Sequence, residues 1–166
     1  MEAGRWRVAR CRELRVVVDT SHLSMAGVEQ IAGIGLPLVP AYPNAQAIAP
    51  GARNLTDAQL RAIGATGGMV GLNLGAMSLD PAGRANAARA LDAGMNHLGH
   101  MIAFAGEICA GPGSDSCGAP IPEGLGSVAD PGNFRRKLRE RGYGAALIEG
   151  ICNRNWLDFR ARYCEE

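Results

Sequence analysis

Apolar residues follow two rhythms along this chain. In three short runs nearly every position is apolar: Val16–Val18, Leu36–Ala41 and Met69–Leu74. Between them, apolar residues recur every three or four positions. The short runs predict buried strands and the longer stretches amphipathic helices. Gly4–Leu14 reads as a helical approach. The β-branched run from Val16 leads into a first strand ending at His22. Ser24 is placed to cap a helix to about Gly33, with Ala26, Val28, Ile31 and Ala32 on its apolar side. Leu36–Ala41 is the second strand, followed by a polar loop from Asn44 to Asn54. Thr56-Asp57-Ala58-Gln59 carries the capping-box spacing and opens a helix ending at Gly67-Gly68. Met69–Leu74 is the third strand, Ser78–Gly83 a loop, and Arg84 to about Ala105 a long helix. Ile108–Ala110 predicts a weaker fourth strand. A proline- and glycine-rich loop spans Ser116–Pro131, and two helices, Asn133–Arg141 and Ala145–Tyr163, close the chain.

Strand alternating with helix four times is a parallel α/β architecture. Four such units make half of a (β/α)8 barrel, whose usual size is about 250 residues. An open sheet fits the same count.

The chain's 166 residues are 47% hydrophobic and 20% charged, an ordinary globular composition, and the net charge is +1. That balance, with only 5% aromatics, argues against nucleic acid as a partner. Five cysteines without a C-x-x-C pair favour reduced thiols over a disulfide framework or a zinc ribbon. The basic N-terminus lacks the apolar core of a signal peptide, and no window reaches the length of a membrane span. A cytoplasmic location is the expectation.

Candidate chemistry sits where the first strand ends, in Asp19, Ser21 and His22, because α/β proteins set their sites at the carboxyl edge of the sheet. Asp19 is read as a hydrogen-bonding support, Asn155 as satisfying backbone groups, and His97 and His100, three apart on the long helix, as packing or surface histidines. Ser21 and Ser24 lack the relay a nucleophile needs. The basic run Arg135-Arg136-Lys137-Arg139-Arg141 predicts a solvated helix face.

Seven motifs then occur in one order: Val-Asp-Thr-Ser-His-Leu-Ser (18–24), Arg-Asn-Leu-Thr-Asp (53–57), Gly-Gly-Met-Val-Gly-Leu-Asn (67–73), Gly-Ser-Asp (113–115), Glu-Gly-Leu (123–125), Arg-Gly-Tyr (141–143) and Asn155. By these the chain resembles the C-terminal half of the renal (membrane) dipeptidases, zinc hydrolases built on an amidohydrolase-type (β/α)8 barrel. The resemblance favours the half-barrel over the open sheet and implies one dipeptidase-like partial-barrel domain over residues 1–166. It implies a dipeptide substrate whose peptide bond is cut by a zinc-activated water. His22 falls on a zinc ligand. Arg53 falls on the residue that holds the substrate carboxylate, which suits a planar guanidinium fork. Asp115 falls on the aspartate that moves protons around the attacking water.

The sequence also departs from the family pattern. Aligned through Pro37, Tyr42 stands where the family has its second zinc histidine, and Cys117 where it has a second aspartate. No His-x-Asp pair occurs in this sequence, and the family's bridging glutamate lies ahead of the matched region. The short ligand set predicts weak or absent activity for the chain alone. It leaves three expectations: a barrel completed by a partner chain or by self-association, a non-catalytic remnant, or a binding protein that keeps the Arg53 grip.

Overall fold

Helices alternate with short extended segments throughout the computed structural model, which describes residues 2–82, 87–115, 118–119, 125 and 132–165. In chain order the helices are α1 (Glu2–Glu13), α2 (Met25–Gly33), α3 (Asp57–Ala65), α4 (Ala76–Leu79), α5 (Ala87–Ala105), α6 (Gly132–Glu140), α7 (Ala145–Glu149) and α8 (Asn155–Arg160). Strand β1 (Val70–Leu72) pairs in parallel with β2 (Ala110–Pro112), Val70 opposite Ala110 and Leu72 opposite Pro112. A parallel pair needs a long crossover, and α5 supplies it.

The caps form as the sequence predicts. The Ser24 hydroxyl accepts the Gly27 amide at 3.3 Å at the start of α2. Thr56 and Gln59 close a full capping box on α3. Such caps are each worth about 0.5–2 kcal/mol and fix where the preceding loops end.

Four full strands do not form. Among the described residues the backbones of the first two expected strands pair only at a parallel bridge between Asp19 and Val39, with Thr20 N donating to Val39 O. The second segment carries Pro37, Pro40 and Pro43, none of which can donate to a ladder. Two of its remaining amides go to side chains: Leu38 N to Thr66 Oγ1 and Ala41 N to Ser21 Oγ. Its carbonyls still accept, Leu38 O from Met69 N, Pro40 O from Gly71 N and Pro43 O from Asn73 N. The four segments thus run side by side in sequence order with only β1 and β2 in regular pairing.

The fourth strand lies two residues beyond its predicted place, since Glu107–Cys109 form a 3-10 turn before β2. Ile108 is 63% exposed there, so its apolar character misleads. Helix α4 takes up part of what the sequence reads as loop. The closing helix is continuous but changes winding, with π-helical stretches at Gly150–Arg154 and Ala161–Glu165 around α8. Most of the proline-rich loop, with Cys117 and Glu123, lies outside the described residues, as does the expected helix start at Arg84.

The apolar runs are continuous because both faces of the extended layer are covered. On one face Leu36, Leu38, Val70 and Leu72 pack with Ile31, Leu60, Ile63, Leu98, Met101, Leu138 and Ile151 from the surrounding helices. On the other, Val39 and Met69 pack with Phe159, while Val17, Trp156 and Tyr163 cover them in part. Trp156 Nε1 also donates to Pro112 O at 3.1 Å. The segments crowd closest around Ala41: a side chain at Gly71 or Gly113 would overlap its carbonyl oxygen. Only glycine fits there.

Candidate functional site

A short hydrogen-bonded clip fixes the first two segment ends. Asp19 Oδ1 accepts from Ser21 N at 2.8 Å and Ser21 Oγ at 2.6 Å. Ser21 Oγ accepts from Ala41 N at 2.8 Å and from Tyr42 N at 3.3 Å. Asp19 is therefore the hydrogen-bonding support the sequence predicts. Ser21 is committed to structure rather than to nucleophilic chemistry. The clip sets the rings that follow it, His22 meeting Tyr42 edge-on with centroids 5.2 Å apart. His22 makes no side-chain hydrogen bond among the described residues, so its ring nitrogens are open to a ligand.

The loop carrying Arg53 is pinned along its length. Leu55 N donates to Asn44 O at 2.7 Å and Gln46 N to Leu55 O at 2.9 Å. Asn54 accepts from Asn44 N at 3.2 Å and donates to Ala49 O at 2.7 Å. Beneath it lies His97, fully buried, its Nδ1 accepting Ala45 N–H at 3.0 Å and its Nε2 3.2 Å from Leu79 O. An amide donor on one side and a carbonyl on the other require the neutral Nε2–H tautomer. Burial pushes its pKa below the ordinary imidazole value. Arg53 itself is exposed and has no hydrogen-bond or ion-pair partner among the described residues.

Asp115 lies three residues beyond β2 with φ +54°, a left-handed conformation unusual outside glycine. Its carbonyl accepts the amides of Gly118 and Ala119 at 2.9 and 3.1 Å. Its carboxylate Oδ2 accepts from Asn73 Nδ2 at 3.3 Å. Asn73 also donates to Tyr42 O at 3.0 Å and accepts Gly75 N–H at 2.6 Å. It ties three segment ends together. Asn73 was legible as an outlier, a polar residue between Leu72 and Leu74 in an apolar run.

These placements bring His22, Tyr42, Arg53 and Asp115 to the wall of one cavity of about 170 Å³, together with Ser21 and Asn73. A larger groove of about 790 Å³ between α2 and α3 adjoins it, and His22 and Arg53 line both.

The donor set is thin for a zinc ion. Among the described residues no three of His, Cys, Asp and Glu converge, whereas zinc sites draw at least three protein ligands. The cavity offers one imidazole and one carboxylate, with a phenol where the resemblance expects a second imidazole. These residues do not by themselves fit the metal. His97 and His100 add nothing to it: His97 is locked in the core, and His100 pairs with Asp57 at 2.7 Å and stacks on Phe104.

The remaining expectations resolve simply. Asn155 Nδ2 donates to Glu107 O and Ala110 O, both at 2.7 Å, holding the final helix against β2. The basic helix α6 is paired rather than merely solvated: Arg135 meets Glu149 at 2.9 Å, Lys137 meets Asp92 at 2.8 Å, and Arg136 meets Glu140. No described helix is long and apolar enough to cross a membrane.

Comparison with known proteins agrees with this geometry. The model of the membrane dipeptidase family, peptidase family M19, matches residues 1–160. An uncharacterized protein in the pqqA 5′ region of Klebsiella pneumoniae is 35% identical over 156 residues, 93% of this chain and 58% of that protein. The crystal structure of dipeptidase AC, an M19 metallopeptidase, is 38% identical with a TM-score of 0.95, covering 100% of this chain and 49% of that one. A metallopeptidase from Rhodobacter sphaeroides, liganded with a phosphinate mimic of the dipeptide L-Ala-D-Ala, is 38% identical with a TM-score of 0.93, covering 98% and 47%. The dipeptidase PvdM of Pseudomonas aeruginosa, described as probable, shares the fold at TM-score 0.88 with 20% identity. The chain thus spans about half the length of the solved structures it matches, and its fold is similar to the C-terminal half of their barrels. By the family-model match over residues 1–160, this chain belongs to the membrane dipeptidase family, peptidase family M19.

Proposed function

We propose that this chain forms the substrate-carboxylate side of a dipeptide-hydrolysing site, as part of one partial-barrel domain. The observation that carries the reading is the shared cavity: His22, Arg53 and Asp115, from three different segments, line one space of about 170 Å³. Arg53, exposed and without a partner among the described residues, takes the dipeptide's terminal carboxylate through two parallel hydrogen bonds. Asp115, held by Asn73, faces the reacting carbonyl and exchanges protons there. His22 would offer an imidazole nitrogen to a zinc ion whose other ligands are not among the described residues. A partner chain or a second copy that completes the barrel would bring the missing donors.

A second reading rests on the same donor set. With no three-donor cluster among the described residues, the chain alone acts as a binder of carboxylate-bearing ligands and not as a hydrolase.

Native mass spectrometry of the purified chain, with and without zinc, separates the two. Stoichiometric zinc in a folded assembly, lost in His22→Ala, supports the hydrolase reading, and dipeptide cleavage is assayed next. A zinc-free species under both conditions overturns it and leaves the binder.

A further inference from the structure

The groove between α2 and α3 has no role in the reading above. In an α/β layer neighbouring helices ordinarily pack on each other, yet here about 790 Å³ separates them. Between the helices its lining is apolar, formed by Val28 and Ala32 of α2, Leu38 beneath, and Ala62 and Ile63 of α3, while the end nearer the site cavity is polar, with Ser21, His22, Arg53 and Asn54. Its volume lies within the range of pockets that bury small ligands. Where the helices begin, Gln59 Nε2 reaches Met25 Sδ at 2.8 Å, so a flexible thioether lines the groove between the two helix starts. Such a side chain swings aside at little cost.

Charge at the groove is asymmetric. Arg53 lines both the groove and the site cavity and has no partner among the described residues, while Glu29 lines the groove from α2. A carboxylate is drawn to Arg53 and repelled by Glu29, which leaves the apolar part of the same molecule to fill the space between the helices.

We infer that the α2–α3 groove is a binding site for the apolar substituent of a carboxylate-bearing ligand whose carboxylate is held by Arg53. For a dipeptide the groove would then select a large aliphatic or aromatic side chain. The inference rests on the proposed role of Arg53 but not on hydrolysis or on zinc.

The test is calorimetric titration of the full chain with octanoate and with acetate, beside alanyl-alanine. Each methylene buried tightens binding about fourfold, so octanoate is expected to bind at least about tenfold more tightly than acetate. Ala62→Phe and Ala32→Phe, on opposite walls, are each expected to weaken octanoate about tenfold and to leave acetate unchanged, if the new ring fills the space of two or more methylenes. Arg53→Gln is expected to weaken both. In the unsubstituted chain, octanoate is expected to shift the amide resonances of Val28, Ala32 and Ala62, a readout that stands even where a wall variant fails to fold. Octanoate binding no tighter than acetate, or without shifts at those amides, overturns the groove. Octanoate bound as expected with alanyl-alanine unbound keeps the groove and fells the dipeptide reading. The reverse pattern fells the groove alone.

Discussion

Asn73 Nδ2 lies 3.3 Å from Asp115 Oδ2 and 3.0 Å from the carbonyl of Tyr42, so one amide group holds a carboxylate and a neighbouring segment end at once. Its oxygen is used as well, by the Gly75 amide at 2.6 Å. Replacing it with leucine keeps approximate volume but strands the Gly75 amide and frees Asp115. The expected cost is about 1–3 kcal/mol, read as a fall in the urea midpoint. Asn73→Asp tests the electrostatic part. A second carboxylate beside Asp115 adds like-charge repulsion, so the variant is expected to lose more stability than the leucine variant in low salt and to recover part of it in high salt, a trend the leucine variant lacks.

His97 predicts a pH dependence. Burial holds its folded-state pKa below the ordinary 6.5, so the folded chain binds fewer protons than the unfolded one. The contribution of neutral His97 is complete above pH 6.5. It declines as the pH falls below that value, by at most about 1.4 kcal/mol per pH unit, until the folded group itself titrates. Denaturant melts at pH 7.5 and 5.5 are expected to differ more in the native chain than in His97→Gln. The His100–Asp57 ion pair is present in both proteins and cancels in the comparison. An equal pH effect in the two would refute the role given to His97.

Much of the helical layer was legible because helix starts are written locally. Ser24 and the Thr56–Gln59 box each satisfy amides within three residues, and their caps form as spaced. The second strand was harder, because the apolar run that signals it conceals two prolines, with a third just beyond it, whose missing donors break the ladder. Leu38 and Ala41 then turn their amides to side chains from other parts of the chain, which no local pattern encodes. The same holds for Asn73 and for the Asp19–Ser21 clip: each partner lies 20 to 42 positions away. The π-helical stretches left no periodic trace. Yet Asn155, at the start of α8, was readable as a residue that satisfies backbone, since a polar side chain on an apolar helix face has few other fates.

Asn155 carries the third prediction. Both of its 2.7 Å bonds come from one amide nitrogen and reach the carbonyls of Glu107, which opens the 3-10 turn, and of Ala110, which opens β2. Asn155→Ala leaves those carbonyls without that donor and opens space under Gly150. The expected loss is about 2–4 kcal/mol, combining the unsatisfied acceptors with the missing contacts. Asn155→Asp is expected to be no better, because a carboxylate has no donor for either carbonyl. Hydrogen exchange at Gly111 and Gly113 is expected to quicken in both variants, since β2 rests on the final helix.

Arg53 predicts the opposite separation of stability from binding. Its side chain is exposed and makes no hydrogen bond or ion pair among the described residues, so Arg53→Gln is expected to leave the unfolding free energy within about 0.5 kcal/mol of the native chain. Binding should behave differently. A guanidinium gripping a carboxylate at two points contributes about 1.5–3 kcal/mol through charge-assisted hydrogen bonds, so the variant should bind dipeptides more than tenfold more weakly. Arg53→Lys separates charge from shape. The ammonium keeps the charge but not the planar fork, and its affinity should fall between the two. The check is titration of the three proteins with alanyl-alanine and with its C-terminal amide. The amide lacks the carboxylate, so its weak binding should not change across the series. If Arg53→Gln weakens the amide as much as the acid, Arg53 is acting through the loop it sits on and not through the carboxylate.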